Sequence, residues 1–255
     1  MEYAVVAVPA APIRKKPRHQ REMISQLLFG EAVQVIKVKD KLWVKVRSLH
    51  DNYAGWMTRT LLKEVNENDA KQEYNFVTTD MVNTILVADQ KMNIPIASSL
   101  PFLQEGKGRL NDLEYSFTGN YFNRKKMQPR AEMVQHLTTQ WLNAPYMWGG
   151  RTIFGVDCSG FVQVIYKMMG LNLNRDAWQQ AQQGKTVKKL KEAVCGDLAF
   201  FDDKEEIVHV GILLNSERII HASGKVRIDS IDRKGIINGD TGKRTHELRS
   251  IKRHW

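Results

Sequence analysis

Apolar residues in the first quarter of the chain recur at alternate positions in short runs. Val33, Val35 and Val38, then Leu42, Val44 and Val46, carry the clearest alternation. One face of a pleated strand repeats every second residue, so the pattern predicts strands over AVVAVPA (4–10), AVQVIKVKD (32–40), KLWVKVRS (41–48) and AGWMTRTLL (54–62). Several short strands within 1–65 predict a small β-barrel. The polar stretch NENDAKQEYN (66–75) shows no periodicity and reads as a linker. Shorter apolar pieces follow, FVTT, NTILVAD, NIPIASSLPFLQ and EYSFTGNYF, and 66–128 is expected to hold this linker and a second, divergent all-β module.

The texture changes at 129. PRAEMVQHLTTQWLNA (129–144) spaces Met133, Leu137 and Trp141 at four-residue steps, which predicts a helix with Pro129 in its first turn. A second helix is expected over CSGFVQVIYKMM (158–169), with Asp157 as N-cap and Gly170 just past its end. DLAFFD, HVGILLN, RIIHAS and RIDSI then read as strands. Helices first and antiparallel strands after make 129–255 an α+β domain.

Within that domain the stretch GVDCSGF (155–161) draws attention to Cys158. In the first turn of a helix a thiol meets the positive end of the helix dipole and unpaired N–H groups. These are expected to lower its pKa, and they suit an oxyanion as well. A base can be found by geometry. In VHVGILLNSERIIHAS a hairpin centred on Asn215 sets His209 opposite His221, on one face of an antiparallel pair. One imidazole could then take the thiol proton while the other orients it. Zinc held by Cys158, Cys195, His209 and His221 is a second reading, although there is no Cys-x-x-Cys pair and the spacings match no common structural site. A buried structural cysteine is the third. Cys195, at the entry to a strand, reads as an ordinary buried thiol.

Five segments, PYMWGGRTIFGVDCSGFVQ (145–163), NRDAWQQAQQG (174–184), GDLAFFD (196–202), IVHVGI (207–212) and IIHASG (219–224), occur in the order of the NlpC-type cell-wall cysteine peptidases, which 129–255 resembles. That resemblance implies a papain-like fold, with Cys158 as nucleophile, His209 as general base and His221 as the polar third member. It implies that Tyr146 and Trp148 line the cleft, the tyrosine hydroxyl near the oxyanion, and that no metal or other cofactor is needed. Two SH3-like modules ahead of such a domain resemble the γ-D-glutamyl-L-diamino acid endopeptidases, which cut freed murein peptides whose N-terminal L-Ala is unblocked. By the same similarity Glu22, in REMISQLLFGE, would meet the ammonium and Tyr53, in DNYAGWM, would be its hydrogen-bonding companion. Glu31 is the rival to Glu22. Asp157 and Ser159 beside the nucleophile, and Asp176 with Ala177, would contact the γ-D-glutamyl part.

The totals narrow the alternatives. Apolar residues make up 42% and charged residues 26% of 255, an ordinary globular composition. No apolar run approaches the ~20 residues that span a bilayer, so no membrane partner is expected. MEYAVVAVPAAPI lacks the basic start of a secretory signal, and a cytoplasmic location is expected, or a periplasmic or exported one had a leader been removed. The net charge of +10 comes from scattered lysines and arginines without a nucleic-acid-binding motif. The expected partner is therefore a small murein peptide, not nucleic acid, and the expected state a monomer. An open-cleft hydrolase of intact wall, with the SH3-like modules as anchors, is the main rival.

Overall fold

The computed structural model describes residues 1–203 and 206–255. They fall into two compact units, Met1–Met127 and Gln128–Trp255.

The first unit opens with seven strands, Tyr3–Val6, Ala10–Arg14, Met23–Leu28, Ala32–Val38, Trp43–Ser48, Ala54–Thr58 and Leu62–Val65. They form one antiparallel sheet in the order third, second, sixth, fifth, fourth, first, seventh. Alternation delivers Ala4, Val6, Ile13, Leu27, Val33, Val44, Val46 and Met57 to a common core. A bulge between Val35 and Lys37 shifts the period by one and keeps Val38, opposite Val44, on the face of Val33 and Val35, although the end of the strand leaves it exposed. The polar stretch read as a linker contains a short helix, Glu67–Lys71, capped by the Asn66 side chain, which accepts from the Asp69 N–H at 2.8 Å. Ala70 from that helix is buried with Tyr3, Val5 and Phe29 against Ile85, Ile94, Tyr115 and Phe117. The second β-rich segment, a four-stranded and a two-stranded sheet, thus shares a core with the first.

The second unit begins with a helix over Ala131–Thr139, shorter than its sequence period suggested. Arg130 is its N-cap, so Pro129 precedes the helix rather than sitting in its first turn, and Trp141 is buried from the turn that follows. The helix Cys158–Met168 comes next, and all eleven of its residues are buried. It packs against strands Glu206–Leu213 and Arg218–Ser223. Burying each of Phe161, Val162, Val164, Ile165 and Met168 contributes about 1.5–3 kcal/mol, more than the helix could gain from propensity alone. Its end is a Schellman turn, in which Gly170 N–H bonds the Lys167 carbonyl and Leu171 N–H the Tyr166 carbonyl.

Six strands close a barrel: Leu198–Asp203, Glu206–Leu213, Arg218–Ser223, Lys225–Asp232, Gly235–Ile237 and Arg244–Arg253, the last pairing with both the first and the fifth. Ala199, Phe201, Leu213, Ile219, Ile231, Ile236 and Ile251 fill one core cluster. His209 and Gly211, His221, and Asp229 continue the same alternation on their strands. No helix among the described residues is long and apolar enough to cross a membrane.

Candidate active site

Cys158 is the first residue of its helix and is 6% exposed. The Asp157 carboxylate fixes that helix start. Its Oδ1 accepts from Gly160 N–H at 2.7 Å, its Oδ2 from Gly149 N–H at 2.8 Å, and the buried Arg175 guanidinium spans both oxygens at 3.1 and 2.6 Å. Arg175 also donates to Ser159 Oγ at 2.9 Å. Asp157 and Ser159 therefore have their side chains turned inward as a clamp on the turn that carries Cys158. The glycine after Ser159 is explained by a close approach: a Cβ on Gly160 would lie 2.3 Å from the Gly150 carbonyl oxygen.

The thiol does not follow the expectation of a lowered pKa. Burial, reinforced by the neighbouring Asp157 charge, pushes it up to about 12, while N–H groups of Val210 and Ser159 and the Arg175 charge pull only partly the other way. Burial likewise presses His209 well below the usual imidazole range, with help from His221 and His246. The resting pair is thus a neutral thiol beside a neutral imidazole.

Register corrects one detail of the histidine pair. Gly211 lies opposite His221, with Ile212 opposite Ile220 and Leu213 opposite Ile219, so the hairpin is centred one residue later than Asn215. His209 is therefore a diagonal rather than a direct neighbour of His221. The two rings still meet, edge to face at 5.1 Å, with His209 Nε2 and His221 Nδ1 2.8 Å apart. Gly211 makes this possible, since a Cβ there would come within 2.8 Å of His221 Cβ. A bulge after the Phe201–His209 pair turns Val208 outward, half exposed, and leaves His209 buried.

Several participants were not singled out in the sequence. His246, on the long last strand, stacks on His209 with ring centroids 4.2 Å apart and planes 24° apart. Burial, with a smaller push from His221, lowers its pKa to about 4. Behind His221 stands Asp229, 3.0 Å from His221 Nε2. Arg227 bonds Asp229 and, at 2.7 Å, Asp240.

The remaining candidates take these places. Tyr146 is half-buried, and burial, reinforced by Cys158 and Asp157, raises its pKa, so its hydroxyl stays protonated. Trp148 is 60% exposed and so is no core aromatic. Asp176 precedes the short helix Ala177–Gln180, where its N–H bonds Gln179 Oε1 at 3.1 Å, and Ala177 is buried. Cys195 is only partly buried rather than a core thiol, with its sulfur 3.7 Å from the Ala131 carbonyl, and both cysteines are free. Among the described residues no cluster of three or more His, Cys, Asp or Glu side chains is arranged to hold a metal ion. In the first unit Glu31 is buried and accepts from Leu28 N–H at 2.9 Å, whereas Glu22 is exposed and ion-paired with Lys15 at 3.3 Å. Tyr53 is half-buried, its N–H bonded to Asp51 Oδ1 at 3.0 Å.

Comparison with known proteins adds the following. The NlpC/P60 family model matches residues 143–244, and that of the bacterial dipeptidyl-peptidase Sh3 domain matches 13–62. A γ-D-glutamyl-L-lysine dipeptidyl-peptidase of Bacillus subtilis is 28% identical over 78% of this chain and 71% of its own. Dipeptidyl-peptidase 6 of Lysinibacillus sphaericus is 24% identical over 90% and 92%, and a probable endopeptidase NlpC homolog of Haemophilus influenzae is 31% identical over 50% and 72%. A crystal structure of an NlpC/P60 family protein from Bacillus cereus superposes with a TM-score of 0.82 at 23% identity, covering 98% of this chain and 99% of that one, a likeness of fold.

Proposed function

The chain belongs to the NlpC/P60 family and is a cysteine peptidase, and we propose that it cuts the γ-D-glutamyl–L-diamino acid bond of small murein peptides freed from the wall, with an unblocked L-Ala at their N-terminus. The observation that carries this reading is the reach of the dipeptidyl-peptidase likeness beyond the catalytic unit. The relatives of that name extend over 78–90% of the chain, and residues 13–62 match the Sh3 domain of the same enzymes. Release of a dipeptide requires recognition of a free amino end, which a wall hydrolase with an open cleft does not need.

The chemistry follows from the residues. His209 takes the Cys158 proton as the sulfur attacks the γ-glutamyl carbonyl carbon, and the C–N bond breaks with that proton passing to the leaving amine. Helix-start N–H groups and the protonated Tyr146 hydroxyl stabilise the oxyanion. Water deprotonated by His209 then hydrolyses the thioester and restores the thiol. Asp157, Ser159, Asp176 and Ala177 are assigned to the γ-D-glutamyl contact through backbone and hydroxyl groups, since the Asp157 carboxylate is occupied by Arg175 and two N–H groups. For the substrate ammonium the proposal keeps Glu22 with Tyr53 and sets Glu31 aside. Glu31 is buried, whereas Glu22 is exposed.

The test is mass-spectrometric product analysis with L-Ala-γ-D-Glu-diaminopimelate and its N-acetylated form. Expected are cleavage of the free peptide after glutamate, little cleavage of the acetylated one, at least a 10⁴-fold loss in Cys158→Ala, in the range of ~10⁴–10⁶ known for lost nucleophiles, and weakened discrimination in Glu22→Ala. Equal cleavage of both peptides by the wild type would transfer the proposal to an open-cleft wall hydrolase.

A further inference from the structure

We propose that Asp229 is a positioning residue for catalysis, which decides through His221 which ring nitrogen of His209 is left bare to take the thiol proton. Each Asp229 oxygen receives two donors. Oδ2 accepts from His221 Nε2 at 3.0 Å and Arg227 Nε at 2.8 Å, and Oδ1 accepts from Arg227 Nη2 and Gly239 N–H, both at 2.9 Å. Burial works against the charge, but the bonds from His221, Arg227 and Gly239 outweigh it and hold the carboxyl ionised, well below the usual carboxylate range.

An ionised carboxylate only accepts hydrogen bonds, so His221 Nε2 must donate. A neutral imidazole carries one N–H, which leaves His221 Nδ1 as an acceptor. His209 Nε2, 2.8 Å away, must then be the donor of that bond, and His209 Nδ1 is left with the lone pair. Val210 N–H reaches the Cys158 sulfur, which sets the thiol against the residue next to His209. The order of protons is therefore fixed from the buried end: carboxylate, outer imidazole, inner imidazole, thiol. When His209 gains a proton on attack, the same chain of hydrogen bonds holds the imidazolium oriented toward the Asp229 anion, which stabilises its charge.

Other charged or titratable groups face this array from each side. Asp157 and Arg175 lie beside Cys158, and His246 stacks on His209 and stands 5.9 Å from His221. Asp240 bonds the far side of Arg227. With its pKa near 4, His246 is neutral at neutral pH and adds no charge there. An amide cannot replace Asp229. In Asp229→Asn one of the two acceptor positions becomes an NH2, which must confront either His221 Nε2–H or Gly239 N–H, and Arg227 in both cases.

The inference rests on the peptidase reading of the site but not on the identity of the peptide. Long-range ¹H–¹⁵N imidazole correlations of the ¹⁵N-labelled wild type, without substrate, should show both His209 and His221 as Nε2–H tautomers. Asp229→Asn, assayed with any peptide the wild type cleaves, should lose roughly 10- to 100-fold in kcat with KM nearly unchanged. The acid limb of its kcat/KM profile should move to lower pH by about one unit, because the imidazoles lose their anion. An Nδ1–H form of either ring in the wild type would overturn the proposal. So would a kcat within threefold of wild type, or a loss that leaves the acid limb in place, which would mark Asp229 as packing only. Should the variant fail to fold, the wild-type tautomers decide alone.

Discussion

At the scale of single residues, the site sets two opposing influences on one thiol. Helix-start N–H groups favour the thiolate, and the sequence made that influence visible through Asp157 and Gly170. What it did not display was the depth of burial, which wins and carries Cys158 up to about 12. Alkylation of the substrate-free enzyme by iodoacetamide should accordingly be slow at pH 7 and keep rising to pH 10 and beyond. A plateau below pH 8 would mean that thiolate and imidazolium already form an ion pair at rest. Cys158, His209 and His221 were legible as candidates because each sits in a local motif or hairpin. His246, Asp229 and Arg227 were not, since they reach the site only through pairings that close the barrel. His246 comes from a segment that reads as a basic tail, and its neighbour on the facing strand is Ile236.

At the scale of elements, the histidine hairpin shows what the sequence could and could not supply. Alternation predicted both strands and put both imidazoles on one face, but a turn of uncertain centre left the register open by two. Only the observed pairing reveals why a glycine stands at 211, directly across from His221. Gly211→Val would drive branched carbons toward Ile219 Cδ1 at 2.7 Å and His221 Cβ at 2.8 Å. The expected cost is about 1–3 kcal/mol of stability from overpacking, with a loss of kcat larger than that destabilisation explains, because His221 must shift from His209. Thermal melts and kinetics on the same preparation check this; a variant with wild-type kcat would show that the hairpin has slack. The long strand Arg244–Arg253 escaped notice for a related reason. Of its ten residues only Ile251 is buried, so it has charge on its surface and almost no apolar period, and partners on both sides hold it in place.

At the scale of the whole molecule, the two units differ in what acid does to them. Burial lowers the imidazoles of His209, His246 and His254, all in residues 128–255. An imidazole whose folded pKa lies below its unfolded value binds protons preferentially in the unfolded chain. Its penalty is absent above about 6.5, appears as pH falls through that value, and for His246 grows until about 4. In residues 1–127 the lowered groups among those described are instead the carboxylates Asp40, Glu67, Glu73 and Asp112 and, by burial, Arg124. A carboxylate held down in the fold keeps its stabilisation until pH drops below the ordinary carboxylate range, and these are exposed pairs of small worth. Between pH 6.5 and 5 the catalytic unit alone should therefore weaken, by up to about tenfold in its unfolding constant per pH unit for each such imidazole. Hydrogen exchange, corrected for the intrinsic pH dependence, should show protection falling across the barrel strands of 198–253 while the strands of 3–65 keep theirs. Parallel loss in both units would mean that they unfold as one cooperative body and that the buried imidazoles do not set the acid limit. Loss confined to 128–255, and reduced in His246→Phe, would tie the acid limit of stability to the ring that stacks on His209.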